Sequence, residues 1–115
     1  MMVILQYIIQ ILLIAIFLMA STGKLKGSDM HKASFKKWGM PQSFRILTGT
    51  VELLAAILLI VGFWSQPSLI IGALLLVAVG IGGVLTHIKA KDTFKDTSMI
   101  LILGILAIVL FAIAL

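Results

Sequence analysis

Four long apolar segments constrain this chain more than any other feature of its 115 residues. They cover residues 3–20, 46–64, 67–88 and 98–115, and the only acidic residue within them is Glu52. A helix rises about 1.5 Å per residue and the hydrocarbon layer is about 30 Å thick, so each segment is long enough to cross it, the first and last only just. Backbone groups cannot stay unpaired in lipid, so the sequence predicts an all-α, integral membrane four-helix bundle.

Composition excludes several other classes of protein. With 62% hydrophobic and 11% charged residues, the chain lacks the polar residues that cover a water-soluble domain, and we expect one transmembrane domain over residues 1–115. The absence of cysteine excludes disulfides, thiolate metal sites and iron–sulfur clusters in this subunit. No metal site is predicted, because the only histidines are His87 and His31, which falls in a loop. No nucleic-acid partner is expected either, since lysines in a membrane protein generally report orientation.

The positions of the cations predict the orientation of the chain. All nine Lys and Arg residues lie in the loops 21–45 and 89–97, and the connection Ser65-Gln66 has none. With four spans the two basic loops share one side, which the positive-inside rule assigns to the cytoplasm. We therefore expect a multi-pass protein of the cell membrane with both termini outside. The first span has no Lys or Arg before it and is too long for a signal peptide core, so we expect it to be retained.

The first basic loop has the features of a short helix. Ser28 is a suitable N-cap, Asp29 suits a first turn, and Gly39-Met40-Pro41 is a stop signal. Between them, apolar and aromatic residues alternate with lysines. The sequence thus predicts a short interfacial helix between spans one and two, whose lysines reach anionic lipid headgroups. A plain basic loop with an aromatic anchor is the alternative.

Polar and small residues fall on one face of each of the first three spans. On span one this face holds Gln6, Gln10, Phe17, Ser21 and Lys24. On span two it holds Arg45, Thr48, Gly49, Glu52, Ala55, Ala56 and Leu59. On span three it holds Gly72, Gly80, Gly83 and His87. Small residues let helices approach closely and polar ones then face the bundle interior. The glycines of span three would permit a homo-oligomer, and they serve an intramolecular bundle equally well.

Glu52 is the residue that most needs an explanation. It lies about 9 Å from the cytoplasmic start of span two, at a depth where a charge costs about 2.5–3.5 kcal/mol. Lys24, Arg45 and His87 all lie at the cytoplasmic ends of their spans, so the topology places them at neighbouring depths. We therefore predict a buried polar site in which Glu52 and His87 handle protons.

Four further residues complete the predicted site as ligand-binding groups: Lys24, Arg45, Thr48 and Thr86. Each has a structural alternative. Glu52 would then be an acid paired with Lys24 or Arg45, and His87 would only cap its helix. The two threonines would bond to their own helices, and Lys24 would extend to the headgroups.

Short motifs in the order of the spans resemble the DoxX/DoxX-like family. They are FLMASTGKL (residues 17–25), Phe35 with Gly39-Met40-Pro41, GTVELL (residues 49–54) followed by Gly62, and Thr86-His87-Ile88. The resemblance covers nearly the whole chain. It implies a small bacterial or archaeal four-helix membrane protein, and it carries Lys24, Glu52 and His87 over as the family's residues. The chain ends at Leu115 without the polar tail of many relatives, so we expect no soluble partner to dock there.

The resemblance also implies a redox setting. The family takes its name from a subunit of a thiosulfate:quinone oxidoreductase, and relatives are linked to quinones, thiols and oxidative stress. We therefore expect a membrane subunit of a quinone-linked stress-response system, with quinone as its ligand and a redox partner subunit that supplies electrons. Any enzymatic role would be that of an accessory subunit.

Two other functions remain open at this point. A non-enzymatic membrane adaptor or assembly factor would use the basic loops as a docking surface. A small multidrug-type transporter also has four spans and a buried glutamate, but there the acid lies in the first span, which here has none.

Overall fold

The computed structural model describes residues 2–115, and within that part of the chain every regular element is a helix. The five helices are α1 (Met2–Lys26), α2 (Asp29–Lys37), α3 (Gln42–Val61), α4 (Gln66–Lys89) and α5 (Phe94–Ala114). Helices α1, α3, α4 and α5 are long and apolar enough to cross a membrane. The predicted all-α membrane bundle is confirmed, and a lipid bilayer is the environment that these helices suit.

The helices differ in length from the predicted apolar segments. At the basic end of the bundle α1 continues to Lys26, while α3 and α5 begin earlier, at Gln42 and Phe94. Polar residues there can continue a helix into the headgroup layer because backbone pairing does not require apolar side chains. At the other end α3 stops at Val61, and the next three residues form the turn into α4.

The short helix of the first basic loop is α2, and its predicted limits are confirmed. The Ser28 hydroxyl oxygen accepts a hydrogen bond from the backbone N–H of His31 at 3.4 Å, which makes Ser28 the N-cap. After Trp38 the chain turns at Gly39, whose φ of +73° favours glycine. The backbone N–H groups of Gly39 and Met40 then bond back to Lys36 and Phe35.

A residue with positive φ, like Gly39 after α2, also follows α1 and α4 and reverses the chain. Gly27, with φ +73°, follows α1, and Lys91, with φ +58°, follows α4. In each case the next N–H bonds back five residues, from Ser28 to Gly23 and from Asp92 to His87. The third reversal was not predictable from a glycine, because a lysine occupies the left-handed position.

The four long helices form a closed arrangement in which α1 packs on α3, α3 on α4, α4 on α5, and α5 on α1, while α2 lies against α3 and α1. The largest fully buried apolar side chains are Leu13, Phe17, Leu59, Leu69, Leu76 and Leu110. On α3 the buried residues are Arg45, Gly49, Glu52, Ala55, Ala56 and Leu59. This is the stripe predicted for span two except for Thr48, which is half-buried.

Helices α4 and α5 approach each other closely at a pair of glycines, Gly80 and Gly104. A Cβ atom added to Gly80 would lie 2.8 Å from the Cα of Gly104. The two backbones therefore touch without an intervening side chain. This is the close approach that small residues allow between membrane helices.

Side chains of neighbouring helices satisfy carbonyl groups near the helix ends. Gln10 Nε2 of α1 donates to the carbonyl oxygen of Leu59 in the last turn of α3 at 2.7 Å, and the Ser68 hydroxyl of α4 donates to Leu58 at 2.7 Å. Gln66 at the start of α4 donates to the carbonyl of Ala114, the last residue of α5. Carbonyls in a final helical turn lack partners within their own helix, so these contacts also fix the axial register of the bundle.

Candidate functional site

A buried ion pair joins α1 and α3. Lys24 Nζ lies 2.9 Å from Glu52 Oε1, and the side chains are 14% and 3% exposed. Gly49 lies one turn before Glu52, and a Cβ atom there would come within 3.0 Å of the Lys24 Cβ. The small residue thus lets α1 come close enough for the ammonium group to reach the carboxylate. Lys24 is the one cationic side chain within 4.0 Å of Glu52 in residues 2–115.

Arg45 is buried close to this pair but bonds to other groups. Its guanidinium donates one hydrogen bond to the backbone carbonyl of Lys24 and another, from Nε, to Gln42 Oε1 at 2.8 Å. A cation at the carboxyl end of α1 is also favoured by the helix dipole. Arg45 therefore holds the end of α1 against α3 and positions Lys24, and it does not itself bind the acid.

His31 of α2 lies beneath the same cluster. Its Nδ1 is 2.6 Å from the Ser28 hydroxyl oxygen, and its ring is so close to Gly23 that a Cβ there would lie 2.7 Å from Cε1. Burial, followed by the charges of Lys24 and Arg45, lowers the pKa of His31 below its ordinary value. His31 thus lies in the first basic loop, within the short helix that the Ser28 cap begins.

A second polar cluster surrounds Asp92, just beyond the end of α4. Its carboxylate accepts from Lys37 Nζ at 2.7 Å and from Trp38 Nε1 at 3.2 Å, and it lies 2.7 Å from His87 Nδ1. The Trp38 and His87 rings stack edge to face with centroids 5.2 Å apart. The Lys37 hydrogen bond, with smaller contributions from Trp38 and His87, lowers the pKa of Asp92, although burial opposes the change. Asp92 in turn raises the pKa of Lys37.

Asp92 was missed because nothing in its sequence neighbourhood marks a helix reversal. The left-handed Lys91 turns the chain back, so the N–H of Asp92 bonds to the carbonyl of His87 and the two side chains meet. Recognition of that reversal after α4 would have paired the two residues.

The structure thus divides the predicted site into two clusters at the same end of the bundle. Lys24 meets Glu52, with Arg45 behind them, whereas His87 meets Asp92. Across residues 2–115 no hydrogen bond or ion pair connects the two clusters. The predicted threonines hydrogen-bond to neither one, because Thr48 donates to Phe44 at 2.8 Å and Thr86 donates to Gly82 at 2.7 Å, each within its own helix.

Comparison with known proteins agrees with this architecture. No curated protein and no solved structure matches the chain significantly. Residues 8–112 match the DoxX-like family, and the match includes α2, α3, α4, most of α1 and α5, and both polar clusters. Because the match covers nearly the whole sequence, the chain belongs to the DoxX-like family of membrane proteins.

Proposed function

We propose that this chain is the membrane subunit of a quinone-linked redox system of the stress response, and that the Lys24–Glu52 pair is its polar site. The observation that supports the proposal is the ion pair itself. Removing two charges from water costs several kcal/mol per ion, and their mutual attraction often does no more than offset that cost. A pair kept inside a small membrane bundle is therefore more readily explained by a functional role than by stability.

The pair has the groups that a quinone headgroup requires. The Lys24 ammonium has three N–H donors, and within 4.0 Å its one carboxylate partner is Glu52, at 2.9 Å. A second donor can bond to a quinone carbonyl oxygen that approaches from the bilayer. Reduction of that quinone to a quinol consumes two electrons and two protons, and Glu52 is the nearby group that exchanges protons.

The electrons would come from a redox partner subunit, which makes this chain an accessory component. In this proposal His87, with Asp92, is the second proton-handling group, at the end of α4. Arg45 is a positioning residue because it holds the backbone of Lys24. Thr48 and Thr86 have no assigned contact with the ligand.

The orientation in the cell membrane belongs to the same proposal. Both basic loops would face the cytoplasm and anionic lipid headgroups, so Glu52 would exchange protons with the cytoplasmic side. Both termini would lie outside. Association of several copies through exposed helix faces is compatible with this arrangement.

The test is binding of a membrane-soluble quinone analogue to purified protein, followed by its thermal unfolding. We expect the analogue to raise the melting temperature of the wild type, and we expect Glu52→Gln and Lys24→Met to lose that increase. Thr50→Val is the matched control on α3, because the Thr50 hydroxyl donates only to Ile46 of its own helix. An equal increase in all four proteins, or none in the wild type, would contradict the proposal.

A non-enzymatic adaptor is the second candidate, and the surface of α2 favours it. Lys32, Lys36 and Met30 are all exposed on this short helix, so they are available to an acidic partner. Gentle extraction followed by mass spectrometry separates the two functions. A stoichiometric protein bound through α2, together with no quinone, would support the adaptor.

A further inference from the structure

A polar cleft opens between the end of α2 and the end of α4. It measures about 500 Å³ and is lined by Lys37, Trp38, Gly39, Met40, Leu85, Thr86, Lys89 and Ala90. Asp92 fixes one wall of the cleft because it bonds to both Lys37 and the Trp38 indole. The cleft therefore has a defined shape at the basic end of the bundle and carries two lysines, Lys37 and Lys89.

An apolar groove continues from this cleft along α4 and α5. It is lined by Val77, Gly80, Ile81, Val84, Leu85, Leu101, Gly104, Ile105 and Ile108. Leu85 lines both the cleft and the groove, so the two form one continuous surface. From Val77 to Lys89 this surface extends about 18 Å along α4. The close contact of Gly80 with Gly104 forms the floor of the groove, where neither helix has a side chain.

We propose that the cleft and groove together bind one anionic membrane phospholipid. Its phosphate lies between Lys37 and Lys89, and one acyl chain lies over the Gly80–Gly104 contact. The site combines a charged mouth at headgroup depth with an apolar groove at acyl-chain depth, and a phospholipid has the same division.

The charges favour an anionic headgroup over a zwitterionic one. The carboxylate that contacts the cleft lysines is that of Asp92, whose side chain is 3% exposed and already bound to Lys37, Trp38 and His87. Asp96 acts on Lys37 only at longer range. No ion pair within residues 2–115 involves Lys89, so its charge is available to a ligand. A second copy that docked through this same surface by two-fold symmetry is a poorer occupant, because it would bring its own lysines against these lysines.

This inference goes beyond the redox proposal and does not depend on it. The Lys24–Glu52 pair lies between α1 and α3, whereas the lipid site uses α2, α4 and α5. The inference also specifies one bound lipid instead of diffuse attraction of lysines to the membrane surface.

The test compares phosphatidylglycerol with phosphatidylcholine of the same acyl chains, added to purified full-length protein in detergent. Native mass spectrometry and thermal unfolding are the two measurements. We expect a one-to-one adduct and a higher melting temperature with phosphatidylglycerol, and a weaker effect of phosphatidylcholine. Inorganic phosphate at the same concentration is expected to leave the melting temperature unchanged, because it has no chain to fill the groove.

Variants then test the two parts of the site separately. Lys89→Gln should weaken phosphatidylglycerol binding about fivefold, whereas Lys89→Arg should retain it. Ile105→Trp should fill the groove and weaken binding of both lipids, and it changes a side chain that is half exposed. Lys95→Gln is the matched control, because Lys95 is exposed and lies outside the cleft.

Four outcomes would overturn the proposal. The first two are equal binding of the two lipids, and equal weakening of phosphatidylglycerol binding by Lys89→Gln and Lys95→Gln. The other two are a higher melting temperature with free phosphate alone, and a lipid-free dimer that Ile105→Trp disrupts.

Discussion

Lys24 and Glu52 each bring a charge into the bundle, and each depends on the other there. Loss of one partner leaves the second charge buried without compensation, which typically costs about 3–5 kcal/mol. Loss of both removes the desolvation cost together with the attraction. The two residues should therefore be strongly coupled in their effect on stability.

We predict that Lys24→Met destabilises the protein by about 3 kcal/mol, and that Glu52→Gln costs less, because a partly exposed lysine can extend to the headgroups. The double variant should recover most of the loss. Reversible unfolding in mixed detergents measures all three, and Lys26→Met is the control because Lys26 is exposed at the end of α1. Losses that simply add in the double variant would show that the two charges do not interact.

Asp92 should control how the end of α2 attaches to the end of α4. Its pKa is lowered from the ordinary value of an aspartate, chiefly by the hydrogen bond from Lys37. A carboxylate with a lowered pKa contributes stability above its unfolded pKa and loses that contribution as the pH falls through its folded pKa. The hydrogen bonds from Lys37 and Trp38 to Asp92 should therefore be present at neutral pH and be lost only below about pH 4.

Trp38 reports this event, since its indole donates to Asp92 at 3.2 Å. In a Trp64→Phe background we expect constant Trp38 emission from about pH 8 to pH 5 and a change only in stronger acid. Asp92→Asn should remove that acid transition and already shift the emission at neutral pH. An acid transition that Asp92→Asn leaves in place would show that another group controls the emission.

Among the helices, the contact between α4 and α5 depends on a close approach at Gly80. A Cβ at Gly80 would lie 2.8 Å from a backbone atom of Gly104, and backbone cannot rotate aside as a side chain does. The converse is milder, because a Cβ at Gly104 would lie 3.5 Å from Gly80 Cα, an ordinary contact.

We therefore predict that Gly80→Ala forces α4 and α5 apart and costs about 1–3 kcal/mol. Gly104→Ala should cost less, and Gly82→Ala should cost nothing, because no atom lies within 4 Å of its added Cβ. Thermal unfolding in detergent ranks the three variants. Equal melting temperatures for Gly80→Ala and Gly82→Ala would refute the close contact.

The elements that the sequence predicted best are those with a clear polar pattern. The α3 stripe followed from helical spacing, because polar residues have few alternatives within lipid. The α2 limits followed from the capping residues Ser28 and Gly39. The partner of each helix was not predictable in the same way. Helix α5 has no charge beyond its first turn, so no pattern selects the face that packs on α4.

The candidate site was predictable in its members more than in its contacts. Depth alone placed Lys24, Glu52, Arg45 and His87 at one end of the bundle. It did not reveal that Arg45 bonds to a backbone carbonyl, or that His87 bonds to Asp92. Such pairings depend on helix rotation and on turns after the last helical residue, neither of which spacing along one helix determines.

At the scale of the whole molecule, the distribution of cations predicts one orientation in the membrane. Nine Lys and Arg residues lie on one side and none on the other. A reporter that is active only outside the cell should therefore work when fused after Leu115 and fail when inserted at Gly39. Activity at both positions would indicate dual insertion, and the reverse pattern would contradict the predicted orientation.

The hydrogen bonds from side chains to terminal carbonyls have a mechanical consequence for this small bundle. Four side chains each donate a hydrogen bond to a carbonyl in the last turn of a neighbouring helix: Gln10, Ser68, Gln66 and Arg45. A helix that slid along its axis by one residue would break these hydrogen bonds. Piston-like movement of the long helices is thereby opposed at both faces of the membrane.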